Sequence, residues 1–136
     1  MIIVNCKNPE IAIKLLPHFV EVDQDKYDIS KELFERLLNN PDETLCLVWS
    51  EKQGFDGYAI AYKYEDKVRF WQARASSQLK RGKFLFDLIV SWAKSKNVKQ
   101  MTCGAMNARI ARFLTRKYGF KQVDDNIHPE MVMELL

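Results

Sequence analysis

No stretch of this sequence approaches the roughly 20 apolar residues that cross a bilayer, so a membrane-spanning helix is not expected. The first residues, Met1 to Cys6, lack the basic start and long apolar run of a secretory signal. Cysteine is scarce: Cys6, Cys46 and Cys103 form an odd, widely spaced set with no Cys-x-x-Cys pair. That pattern argues against a disulfide framework or a cysteine zinc site, and it favours a reducing compartment, the cytoplasm. Each cysteine sits in an apolar, strand-like stretch and reads as a small core residue rather than a reactive thiol. Histidine is scarcer still, and His18 and His128 lie too far apart in sequence to suggest metal ligands. Neither sign of charge dominates. The net charge of +3 permits an anionic ligand without announcing nucleic acid. Repeats, low-complexity segments and linkers are missing too, so the 136 residues are expected to form a single domain, 1–136.

What is present is a period that changes along the chain. Residues 2–6 read as a short strand. Asn8-Pro9-Glu10 marks a helix start, with Asn as the N-cap, Pro at the first helical position and an acid in the first turn. Ile11, Leu15 and Phe19 continue one face of that helix, which Pro17 should kink or end. A second helix should begin near Asp28 or Ser30, bury Leu33, Phe34, Leu37 and Leu38, and stop at Asn39-Asn40-Pro41. Residues 44–49, 58–64 and 68–75 alternate with turn residues and predict an antiparallel meander, its last turn at Glu65-Asp66-Lys67. From Lys83 the period is helical again, and Leu85, Leu88, Ile89, Trp92 and Ala93 share the spacing of one buried face. Lys94, Lys96 and Asn97 close it. Residues 99–103 read as a strand parallel to 68–75, because a helix crosses between them. Asn107 opens a last helix, expected to carry Ile110, Phe113, Leu114 and Tyr118 inward and to end at Gly119. Residues 120–123 and 131–136 close the order β-α-α-β-β-β-α-β-α-β-β, an α/β chain.

The candidate functional residues lie around the two later helices. Ser77-Gln78-Leu79-Lys80-Arg81-Gly82-Lys83 connects a strand to a helix start. A helix N-terminus has unsatisfied N–H groups and partial positive charge, so it can cradle a diphosphate, and Lys80, Arg81 and Lys83 add charge beside it. A solvated basic turn is the plainer reading of those residues alone. Arg109, Arg112 and Arg116 form a basic stripe that could meet a phosphate or simply face water. Phe70 and Trp71 are adjacent on a strand and point to opposite faces, so at least one should be core. Glu21, Asp23 and Asp25 cluster in what reads as a polar loop.

The order of elements, that loop, the helix ending in Lys117-Tyr118-Gly119-Phe120, and the last strand at Met131-Val132-Met133-Glu134-Leu135 together resemble the GNAT (GCN5-related N-acetyltransferase) superfamily. The resemblance is strongest from Gly57 to Phe120 and extends over the whole chain. It implies a mixed, splayed sheet, acetyl-CoA as co-substrate, no metal, and direct acetyl transfer to an amine on a small molecule or a protein. It also implies that backbone at Arg74, Ala75 and Ser76 pairs with the pantetheine arm. Gln78, Leu79, Lys80, Arg81, Gly82 and Lys83 would hold the diphosphate, with Asn107 also at the co-substrate, and the acids at 21, 23 and 25 would shape the acceptor site. Three positions, in two places, depart from the family pattern. Phe84 and Phe86 stand where its loop has small residues, and Thr115 stands four before the glycine, where a tyrosine usually protonates the leaving thiolate. The resemblance therefore assigns no catalytic residue. The loop is also similar to that of small acetyltransferase-like proteins of bacteriophages, which keeps a non-catalytic interaction or regulatory protein of the same fold in view. A basic nucleic-acid-binding domain is the third reading.

Overall fold

A computed structural model describes residues 2–15, 26–50, 57–75 and 82–135. The elements follow the predicted order: β1 (Ile2–Asn5), α1 (Pro9–Leu15), α2 (Lys26–Asn39), β2 (Thr44–Ser50), β3 (Gly57–Tyr64), β4 (Lys67–Ala75), α3 (Gly82–Ser95), β5 (Gln100–Gly104), α4 (Ala108–Tyr118), β6 (Lys121–Gln122) and β7 (Glu130–Glu134). A 3-10 turn, Pro41–Glu43, leads into β2. The strands make a seven-stranded sheet in the order β1-β2-β3-β4-β5-β7-β6. The chain divides into two compact units, Met1–Ala61 with Gln72–Lys80 and Tyr62–Trp71 with Arg81–Leu136.

In the first unit the start of α1 is fixed by Asn8, whose Oδ1 accepts from the N–H groups of Glu10 at 3.0 Å and Ile11 at 3.2 Å. This satisfies two of the helix's orphan donors. α1 buries Ala12 and packs on α2; Pro17 and Phe19 lie outside the described residues. α2 starts at Lys26, earlier than the sequence suggested, and buries Leu33 and Leu37. Phe34 is half-buried and Leu38 is exposed, against expectation. The row at i, i+4 through 33 and 37 faces inward, and the next row, 34 and 38, lies about 100° round the helix. The helix stops at the predicted asparagines. Thr44 follows, fully buried, and its hydroxyl donates to the Asn40 carbonyl at 2.9 Å. β2 pairs antiparallel with β1 (Ile2↔Ser50 to Asn5↔Leu47) and lies between β1 and β3. Its unbroken burial from Thr44 to Trp49 explains why it reads as an apolar run without alternation. The Trp49 indole N–H is buried with no acceptor among the described residues. Tyr58 is also buried, and its hydroxyl donates to Gln72 Oε1 at 3.0 Å.

The second unit contains the parallel pair. β4 and β5 run parallel in the register Lys67↔Gln100, Val68↔Met101, Arg69↔Thr102, as a helical crossover requires. The pairing ends at Arg69, short of the end of β4 at Ala75. β3 and β4 are joined by Glu65 and Asp66 alone, so they form a hairpin, and Glu65 takes a left-handed φ of 55° to close it. β7 inserts antiparallel between β5 and β6. The core holds Val68, Met101, Cys103, Met131 and Phe120. Phe70 and Trp71 are both half-buried, so neither is the core anchor expected. Trp71 meets Tyr62 edge-on at 5.7 Å.

Two helical faces differ from expectation in the same way. α3 buries Leu85, Phe86, Ile89 and Ala93, while Leu88 and Trp92 are half-buried. The arc is rotated toward Phe86, which leaves Trp92 on the rim with Lys96 Nζ 5.5 Å from its ring. Asn97, at φ 58°, supplies the left-handed residue after the helix. α4 buries only Ala111, with Leu114 and Tyr118 half-buried; Ile110 (39% exposed) and Phe113 (48%) lie outward rather than inward. Its ends are as predicted: Asn107 Oδ1 accepts from Ile110 N at 2.9 Å, and Gly119, at φ 79°, donates to the Thr115 carbonyl at 3.2 Å. All three cysteines are buried and free, as expected of core residues.

Candidate functional site

The predicted diphosphate loop spans the connection from β4 to α3. Ser76, Gln78, Leu79, Lys80 and Arg81 lie outside the described residues, as do Glu21, Asp23 and Asp25. Arg74 and Ala75 end β4 in extended backbone, and Gly82 is the first residue of α3. The first turn of this 14-residue helix contains no acid, so no carboxylate of its own competes for the free N–H groups there. Lys83 turns down the helix, where its Nζ lies 2.6 Å from Asp87 Oδ1 in an exposed i,i+4 pair.

The two phenylalanines behave differently. Phe86 is 8% exposed, stacks on Tyr118 with ring centroids 4.2 Å apart at 27°, and meets Phe120 edge-on at 5.8 Å. Its bulk fills the core of the second unit. Phe84 is 53% exposed. Positions two apart on a helix differ by about 200° in direction, so one ring inward leaves the other outward.

α4 and its N-cap hold two of the positions that the resemblance to the GNAT family singled out, Thr115 and Asn107. The Thr115 hydroxyl donates to the Ala111 carbonyl at 3.0 Å, a bond from side chain to backbone one turn back. The Asn107 side-chain Oδ1 is used as the helix cap, accepting from Ile110 N–H. Tyr118, beside them in sequence, is held in its protonated form above the usual phenol value by burial, with Lys83 opposing and Asp87 reinforcing the shift.

A third cluster had escaped sequence reasoning. Arg69 on β4 donates to Thr102 Oγ1 on β5 at 3.3 Å and pairs with Glu130 at the start of β7. A side chain at Gly104, opposite Glu130 in the ladder, would come within 3.3 Å of Arg69 Nη2, so the glycine makes room for the guanidinium. The only signal in the sequence was a charge in a strand between apolar Val68 and Phe70, and nothing told which strands would be its neighbours. Beside it the Cys103 thiol is pushed up to about 12, first by burial, with Arg69 pulling it down and Glu130 raising it. Cys46 in the first unit is likewise raised to about 12 by burial and by Cys6. Neither thiol suits a nucleophile.

The first unit has an apolar groove of about 180 Å³, lined chiefly by Ile2, Val4, Ile11, Leu15, Val48 and Ser50. It offers surface and no acid, base or cation. Among the described residues no three metal-ligating side chains converge, and no helix is long and apolar enough to cross a membrane.

No family profile and no curated protein matches the sequence. Solved structures do match the fold. An aminoglycoside 6′-acetyltransferase type Ii superposes with a TM-score of 0.74 at 16% identity, over 100% of this chain and 98% of its own. The PaiA N-acetyltransferase of Thermoplasma acidophilum, solved with coenzyme A, gives 0.70 at 14% identity, over 98% and 99%. An acetyltransferase of the GNAT family from Streptococcus pneumoniae gives 0.70 at 14%, over 99% of both chains.

Proposed function

This chain has the GNAT acetyltransferase fold, and we propose that on it the protein binds acetyl-CoA and transfers the acetyl group, slowly, to an amine of a small molecule or protein. The observation that carries the reading is the crossover from β4 to α3. In the sequence a basic, glycine-bearing run, Lys80-Arg81-Gly82-Lys83, leads up to and into a 14-residue helix that starts at Gly82 and whose first turn is free of acids. Phe86, the feature most at odds with a phosphate loop, is turned into the core and away from such a role.

On this reading the amides at the head of α3, with Lys80 and Arg81, hold the diphosphate, and the backbone of Arg74 and Ala75 at the end of β4, with Ser76, pairs with the pantetheine arm. Acetyl-CoA supplies the acetyl group as a thioester. The acceptor nitrogen bonds to the carbonyl carbon, the carbon–sulfur bond breaks, the thiolate gains a proton and the nitrogen loses one. A phenol is suited to supply the sulfur's proton; an aliphatic hydroxyl is far too weak an acid. Thr115 is that hydroxyl, and it is already committed to the Ala111 carbonyl. On this reading water supplies the proton, at a cost on the order of 10²–10⁴ in rate.

Titration calorimetry with acetyl-CoA, followed by thiol release over a panel of amines, tests the proposal. We expect binding, weakened by Arg81→Glu, and slow release. No heat at millimolar acetyl-CoA would remove the enzyme reading. The bound Thr115 hydroxyl also favours a second reading, a GNAT-fold interaction or regulatory protein. Binding of acetyl-CoA with no thiol release from any amine would select it.

A further inference from the structure

The two units differ in charge. Tyr62–Trp71 with Arg81–Leu136 holds thirteen lysines and arginines against seven acids, a net of +6, whereas the rest holds eight against eleven, a net of −3. The excess is concentrated around α4: residues 104–123 contain Arg109, Arg112, Arg116, Lys117 and Lys121 and no acid. Because α4 rests on Ala111, all four of its cations are exposed. No ion pair among the described residues involves any of them. At 3.6 residues per turn, Arg116 and Arg109 lie roughly 140° and 160° from Ala111, on the line farthest from the protein body. The three arginines span about 10 Å along the axis. Beside them Phe113 and Ile110 are exposed, with Lys117 Nζ 5.8 Å from the Phe113 ring.

We propose that the outer face of α4 is a binding surface for single-stranded nucleic acid. Arg109, Arg112 and Arg116 take successive phosphates, and Phe113 offers its ring to an unpaired base. This surface is independent of the acetyl-transfer reading. Charge complementarity selects a polyanion, and the apolar residues select its form. A row of cations with an exposed aromatic among them is how single strands are held without base pairing, phosphates on charge and bases on rings. A duplex would present phosphates to Phe113 and Ile110. An anionic membrane would take up those two side chains, but only by driving Arg109 and Arg116 into the apolar layer beside them.

The experiment uses the full chain with a fluorescein-labelled 20-nucleotide single strand, the same sequence as a duplex, and vesicles containing phosphatidylserine. Fluorescence anisotropy is followed from about 20 to 200 mM salt. Three or four phosphate contacts predict a log–log salt slope of about −2 to −3 on the single strand. Arg109→Gln/Arg112→Gln/Arg116→Gln should bring the slope close to zero and weaken binding at least tenfold. Phe113→Ala should weaken it about tenfold with the slope unchanged. These side chains are exposed, so both variants should keep the circular dichroism and melting curve of the parent. If the triple variant melts early, Arg112→Gln alone, expected to reduce the slope by about 0.7, carries the test. The proposal is overturned by absence of binding at low salt, by preference for the duplex or the vesicles, or by a triple variant that binds as the parent does. Loss of binding in the presence of equimolar coenzyme A would assign the arginines to the co-substrate instead and overturn it too.

Discussion

Replacing Phe86 separates two roles that the sequence left entangled, core residue and obstacle to a phosphate. The ring is 8% exposed, stacked on Tyr118 and edge-on to Phe120. Truncating a buried phenylalanine to alanine costs about 3–5 kcal/mol, of which aromatic contacts supply about 0.5–1.5. Tyr118 is itself half-buried and can follow the missing ring, so Phe86→Ala should fall near the lower end, about 3 kcal/mol. With a urea slope of about 1.5 kcal/mol/M, the midpoint should drop by about 2 M. Phe86→Leu keeps most of the volume and should cost about 1–2 kcal/mol.

The same variants are then titrated with acetyl-CoA below their unfolding transitions. If the ring belongs to the core, Phe86→Leu binds acetyl-CoA as the parent does. If the ring crowded the diphosphate, its removal would tighten binding. Phe84→Ala is the control, and at 53% exposure it should shift stability by less than about 1 kcal/mol. An unchanged urea midpoint for Phe86→Ala, or acetyl-CoA binding tightened tenfold by Phe86→Leu, would refute the inward placement.

Trp92→Ala should cost about 1–2 kcal/mol rather than the 3–5 of a buried tryptophan. The ring is on the rim of α3, and the Lys96 contact at 5.5 Å adds about 0.5; a urea denaturation curve checks it. Cys46 and Cys103 should react with a thiol reagent at pH 8 only as fast as the protein unfolds. Because burial raises both thiols from 9 to about 12, their contribution to stability is complete below about pH 9. It is lost as pH rises from 9 toward 12, since the unfolded chain releases those protons first. Rapid native labelling at both sites, or a urea midpoint independent of pH over that range, would contradict their burial.

Element order was legible because period and punctuation are local. Asn8 and Asn107 announced their caps and Gly119 its helix end, and each works as predicted. The parallel β4–β5 pair followed from one helix crossing between two strands. What was not legible is how much of an apolar face is covered. Periodicity gives the direction in which apolar residues point, but the arc that finds a neighbour depends on what that neighbour is. In α2 the arc was narrower than the pattern, leaving Leu38 out; in α3 it was rotated, taking Phe86 in and leaving Trp92 at the rim. The Arg69–Glu130 pair was invisible for a related reason, since β4 and β7 meet across β5 only in the folded sheet.

α4 shows how such a shift of face bears on chemistry. The apolar pattern pointed to Ile110, Phe113, Leu114 and Tyr118 as the inward set, yet the buried contact is Ala111. Residues four apart lie nearly in line on a helix, drifting only about 40° per step, so Asn107, Ala111, Thr115 and Gly119 form one row. Each member serves the backbone in its own way. Asn107 caps, Ala111 allows close approach and accepts the Thr115 hydroxyl, and Gly119 turns the chain. Thr115 is exposed at the edge of this row, one turn from the buried alanine. A larger side chain there would leave along the protein surface without displacing the core. Thr115→Tyr should therefore change stability by less than about 1 kcal/mol. It gives up only the bond to the Ala111 carbonyl, which keeps its helical partner. If the co-substrate sulfur lies beside this row, the new phenol supplies the missing acid, and thiol release should rise on the order of 10²-fold while acetyl-CoA affinity stays as it was. An unchanged rate in a stably folded Thr115→Tyr that still binds acetyl-CoA would show that the row does not border the reacting atoms, and that the slow step lies elsewhere than in protonating the thiolate.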